Sequence, residues 1–192
     1  MRAVMKASFC GLWMGALFFG TCAYAQMAPK KSLAAQCASD LDSAKERVFS
    51  NPDGQTWKEY ASTKQVPRST GAGRSVITVK TSSSGKRFVR TSEYGEQLAR
   101  YTAACYDQAG HLRSFRYEMR TASGWGYEDL RTFNAAGKPL KQSTRYLDTK
   151  DNHTIDRPEQ AGSVPNFTKP TVYNNFDSVP IAGAIKQNAT AQ

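Results

Sequence analysis

Residues 97–122, QLARYTAACYDQAGHLRSFRYEMRTA, decide how this chain is read. Two runs rich in aromatic and small apolar residues flank Asp107-Gln108-Ala109-Gly110. Tyr106 closes the first run, Asp107 can hydrogen-bond its own backbone further along the turn, and Gly110 supplies a residue free to take positive φ. That is the chemistry of a hairpin loop with a bulge. If Asp107 pairs with His111, Tyr101 lies opposite Tyr117, Ala103 opposite Phe115 and Ala99 opposite Met119. Arg100 then meets Glu118, and Thr102 meets Arg116, on the other side. One face is apolar and the other charged, as in an antiparallel sheet with one covered and one open face.

The same pattern recurs at Phe133-Asn134-Ala135-Ala136-Gly137-Lys138. Working outward from the two turns, strands are expected near 76–82, 86–94, 97–107, 111–122, 127–134 and 138–148, separated by Gly-containing turns. The aromatic-Asp-x-x-Gly turn resembles the hairpins of YD-type and MORN-like repeats. The likeness covers two short segments without a steady period and carries no family.

Pairing Asn134 with Lys138 puts Leu130, Thr132, Leu140 and Tyr146 on one face and Tyr127, Asp129, Arg131, Lys141, Ser143 and Arg145 on the other. Joined to the first hairpin, the open face would carry Arg100, Arg116, Arg120, Arg131, Lys141 and Arg145 against Glu118 and Asp129. Trp125 and Tyr127 stand ready to stack. These eight aromatic and basic residues are the candidate ligand-binding set, and their sign points to an anionic ligand.

Upstream, residues 32–49 read as a helix. Leu33, Cys37, Leu41, Ala44 and Val48 make one apolar stripe, Ser32 can cap the first turn, and Asn51-Pro52-Asp53-Gly54 stops it. Residues 55–75 read as a loop anchored by Trp57 and Tyr60. Cys37 on the stripe and Cys105 on the apolar sheet face predict a disulfide pinning helix to sheet. The expected fold is α+β: an N-terminal helix packed on a twisted antiparallel β-meander of about six strands, with one disulfide. Residues 149–192 read as an extended, partly disordered tail holding Pro158, Pro165, Pro170 and Pro180. Within that tail, residues 172–185 are apolar enough to dock.

Residues 1–25 have the parts of a cleaved export signal: Arg2 and Lys6, an uncharged apolar run from Ala7 to Thr21, and Ala23-Tyr24-Ala25 at the cleavage site. A polar lead, 26–31, separates it from the single domain at 32–148. The signal carries two of the 26 Lys and Arg residues and none of the 16 Asp and Glu, so the exported chain has 24 against 16, a net charge of +8. Cys10 and Cys22 leave with it, and Cys37 and Cys105 remain for an oxidising compartment, periplasmic or extracellular.

No catalytic motif stands out. His111 and His153 have no metal-ligand spacing, no serine sits in a G-x-S-x-G elbow, and no cofactor or strong nucleic-acid motif is expected. After cleavage no transmembrane segment is expected. The leading expectation is an exported, non-enzymatic binding or accessory protein, its open face meeting an anionic polysaccharide, a lipid headgroup or an acidic protein. A structural or envelope-associated protein comes second, and a hydrolase using Asp or Glu third.

Overall fold

A computed structural model describes residues 37, 41, 43–52, 56–67, 74–164 and 167–190. The expected export signal and polar lead, half of the expected helix and residues 68–73 lie outside the described residues.

The strands are β1 (Glu46–Ser50), β2 (Lys58–Tyr60), β3 (Arg74–Thr81), β4 (Arg87–Tyr94), β5 (Leu98–Tyr106), β6 (Leu112–Thr121), β7 (Trp125–Phe133), β8 (Pro139–Asp148) and β9 (Thr154–Ile155). They form one antiparallel sheet in the order β2-β1-β3-β4-β5-β6-β7-β8-β9. Short 3-10 turns follow at Glu159–Ser163 and Phe176–Ser178, and a helix, α1, spans Ala182–Thr190. Six strands fall where the turn signals put them. Gly85, Gly110, Gly124 and Gly137 all take positive φ, with 85° at Gly110 and 74° at Gly137.

The α+β expectation is corrected. The chain forms a nine-stranded sheet, and the segment read as the end of an N-terminal helix is strand β1. Phe49, off the supposed stripe, is fully buried beside buried Val48. Adjacent residues of a strand point to opposite faces, and both faces are covered here. Phe49 joins the main core, while Val48 packs with Val66, Val76 and Tyr60. Burying a side chain such as Phe49 is worth about 2–3 kcal/mol, more than a four-residue apolar rhythm can resist.

The two faces differ. The core face presents Ile77, Val89, Ala104, Phe115, Tyr117, Met119 and Tyr127 to one large apolar cluster. The segment read as a tail packs against it, contributing Ala161, Phe167, Phe176, Val179, Ile181 and Ala182. Two anchors hold this strap. Phe167 inserts among Trp125, Tyr127 and Tyr146, with ring centroids 5.6, 5.3 and 6.3 Å away. Phe176 sits on the β5–β6 turn, where its amide donates to the Gly110 carbonyl at 2.9 Å and the Arg87 guanidinium covers its ring. Between the anchors, the Tyr106 hydroxyl donates to the Tyr173 carbonyl at 3.1 Å.

The open face is capped at one end. The Cys37–Cys105 disulfide, with Cα atoms 6.2 Å apart, brings Cys37 and Leu41 against Phe88. The bridge joins the two residues predicted for it.

Candidate functional site

Both hairpin turns have the expected geometry. The Asp107 amide donates to the His111 carbonyl at 2.9 Å, and the Asn134 amide to the Lys138 carbonyl at 3.0 Å. Each is followed by a bulge. Tyr106 pairs with Leu112 but Cys105 pairs with Ser114, leaving Arg113 as the extra residue. Phe133 pairs with Pro139 but Thr132 with Lys141, leaving Leu140 unmatched and 66% exposed. An extra residue shifts the register by one, and a one-residue shift exchanges faces. Arg100 therefore lies opposite Met119 rather than Glu118, and Tyr101 lies opposite Glu118.

The eight candidate residues divide between the two faces. Arg116, Arg120, Lys141 and Arg145 share the open face with Glu118 and Glu128; Arg100, Trp125, Tyr127 and Arg131 lie on the core face.

On the open face the arginines already have anions. Glu118 and Glu128 oppose each other across β6 and β7, an unfavourable pair alone. Arg116 bridges them, its Nη2 2.8 Å from Glu118 Oε2 and 2.8 Å from Glu128 Oε1. Arg145 Nε donates to Glu128 Oε2 at 2.6 Å, and Arg120 Nε donates to Glu118 Oε1. Arg120 also reaches the Asn152 side chain at 2.8 Å. Three cations and two buried carboxylates nearly cancel. Lys141 is exposed at the edge of this network.

On the core face Arg131 is also committed. Its Nη2 donates to Asp129 Oδ2 at 2.5 Å, and Asp129, wholly buried, accepts from Gln142 as well. The Asp129 carboxylate and its hydrogen bonds raise the Arg131 pKa. Trp125 and Tyr127 are buried in the aromatic cluster that grips Phe167, which leaves neither ring free to stack on a ligand.

Arg100 is different. It borders a cavity of about 320 Å³ between the sheet and the strap. Ile77, Val89, Ala104, Phe115 and Val179 make its apolar wall, Trp57 one flank, and Lys169-Pro170-Thr171 and Tyr173 its roof. Among the described residues no carboxylate pairs with Arg100. Glu93 sits directly opposite it across β4 and β5, and no ion pair joins them. Arg100 leans toward the Tyr117 hydroxyl instead. Burial raises the Tyr117 pKa, and the neighbouring guanidinium opposes the rise. Burial also raises the Tyr106 pKa, so at neutral pH that hydroxyl is a donor holding the strap.

This volume suits a small organic ligand, and an apolar cavity with few converging polar groups is the usual form of such a site. The sequence pointed to Arg100 on a face it does not occupy. It had no means of joining Trp57, Lys169 and Tyr173, which come from segments far apart in the chain. Among the described residues no three His, Cys, Asp or Glu side chains cluster as metal ligands, and no helix is long and apolar enough to cross a membrane. Comparison of the chain with family models, curated proteins and solved structures finds no match.

Proposed function

We propose that this chain is an exported binding protein that takes a small, mostly apolar ligand with an anionic group into the cleft beneath the strap. One observation carries the reading: Arg100 is the core-face member of the candidate arginine set without a carboxylate partner, and it lines the cavity. A guanidinium offers a planar fork of donors that suits a carboxylate, and Lys169 at the roof adds a second positive charge. Export is supported by the composition of residues 1–25 and by the disulfide, a bond that persists in oxidising compartments. The open face supports an anionic polymer less well, because Arg116, Arg120 and Arg145 are already engaged in ion pairs with Glu118 and Glu128.

Trp57 provides the assay. Trp125 is buried in the aromatic cluster, so a Trp125→Phe protein isolates the cleft tryptophan in the exported form. Titration with 3-phenylpropanoate or decanoate should give a saturable change in Trp57 emission that Arg100→Gln abolishes. A linear, unsaturable response, or one unaffected by Arg100→Gln, would refute the proposal.

A further inference from the structure

The cleft does not end at Arg100. A second cavity of about 300 Å³ adjoins it, and Ser75, Glu93 and Arg100 line both. Beyond that shared wall the second space is bordered by Asn51, Tyr94, Gly95 and Leu98. Its character is the reverse of the roofed cleft. Glu93 contributes an exposed carboxylate without an ion pair among the described residues. The Oδ1 atom of Asn51 is buried without a hydrogen-bond partner. A buried acceptor left unsatisfied costs about 1–3 kcal/mol, and the group that relieves it must be a donor.

Resting on the cleft reading above, we infer that the second cavity is a subsite for a cationic, hydrogen-bond-donating group, so that the ligand is a compact zwitterion with an apolar body. The cation meets Glu93 and Asn51, the anion meets Arg100, and the body lies against Val89, Phe115 and Val179. Spacing favours a compact head. Directly opposed residues of antiparallel strands hold their Cβ atoms about 4.5–5.5 Å apart, close enough for adjacent ammonium and carboxylate groups to touch Glu93 and Arg100 together. Opposite charges that face each other across a cavity junction without pairing are what such a head satisfies. An α-amino acid with a large apolar side chain, or the equivalent head on a longer amphiphile, has this chemistry.

Three probes of one skeleton test it on the intact exported chain: 3-phenylpropanoate (anion only), L-phenylalanine (both charges) and 2-phenylethylamine (cation only). L-Phenylalanine should bind at least tenfold more tightly than either of the others. Glu93→Gln, an exposed and conservative change, should remove the preference for L-phenylalanine over 3-phenylpropanoate. Asn51→Ala should lower the same preference, with thermal melting as the check on folding. If 3-phenylpropanoate binds wild type as well as L-phenylalanine does, or if Glu93→Gln keeps the preference, the cationic subsite is wrong and the cleft reading survives. If none of the three binds, both fall.

Discussion

Reducing the Cys37–Cys105 disulfide should cost this protein much of its thermal stability. The bridge closes a loop with a sequence separation of 68. Loop-closure entropy in the unfolded chain puts its contribution at about 4 kcal/mol. For a domain of this size, each kcal/mol moves the melting temperature by about 2–4 °C, so the expected fall is roughly 8–16 °C. The folded state adds to the argument. Cys37 and Leu41 cover Phe88 and Cys105, and without the bridge this small cluster is held only by its own burial. Circular-dichroism melts of oxidised, reduced and Cys37→Ser/Cys105→Ser protein provide the assay, with the last two agreeing. A fall of less than about 3 °C would refute the reasoning, because the cross-link would then constrain neither the unfolded chain nor the covering segment.

Glu128→Gln should destabilise the open-face network by about 1–3 kcal/mol in urea unfolding. The lower end reflects the half-exposed guanidiniums of Arg116 and Arg145, which water can take up. Lys141→Gln on the same face should stay within about 0.5 kcal/mol. Gly126→Ala should cost about 1–3 kcal/mol by overpacking. Its Cβ would stand 2.6 Å from the Met119 carbonyl oxygen and 2.9 Å from Leu147 Cδ1, whereas Gly162→Ala meets nothing within 4 Å and should be close to neutral. His153 should titrate above its ordinary 6.5 in NMR, because the Asp151 carboxylate accepts from its ring and favours the charged form; Asp151→Asn should lower it again, with the smaller effect of Asp148 remaining. Asp151 is correspondingly lowered from 3.8, so the pair is fully formed from roughly pH 4 to 6.5. It is lost as pH rises through the His153 pKa or falls through that of Asp151.

Much of the meander was legible because its turns carry strong local chemistry. Asp107 and Gly110, and likewise Asn134 and Gly137, define their loops through contacts within five residues, and the structure keeps those contacts. The disulfide was legible because only two cysteines remain after the expected cleavage. What failed was the step from turn to register. A bulge beside each turn adds one residue, and nothing in Arg113 or Leu140 announces it, yet it moves Arg100 and Arg131 to the opposite face from Arg116 and Arg145. The helix reading failed over 46–49 because Leu41, Ala44 and Val48 match a helical stripe by spacing alone, while the burial of Phe49 is decided by strands and a strap from elsewhere in the chain. The cleft was illegible for the same reason. Trp57, Arg100 and Lys169 become neighbours only when the strap lies down between its Phe167 and Phe176 anchors.

The central claim is that the unpaired arginine under the strap, and not the paired arginines of the open face, receives the anion. The direct measurement is the affinity of 3-phenylpropanoate, by calorimetry, for Arg100→Gln, Arg116→Gln and Lys141→Gln proteins, each confirmed folded by its melt. The account predicts that Arg100→Gln loses binding while Arg116→Gln and Lys141→Gln keep it within about twofold, a difference of less than 1 kcal/mol. Binding that survives Arg100→Gln and is lost in Arg116→Gln would contradict it and return the function to the open face.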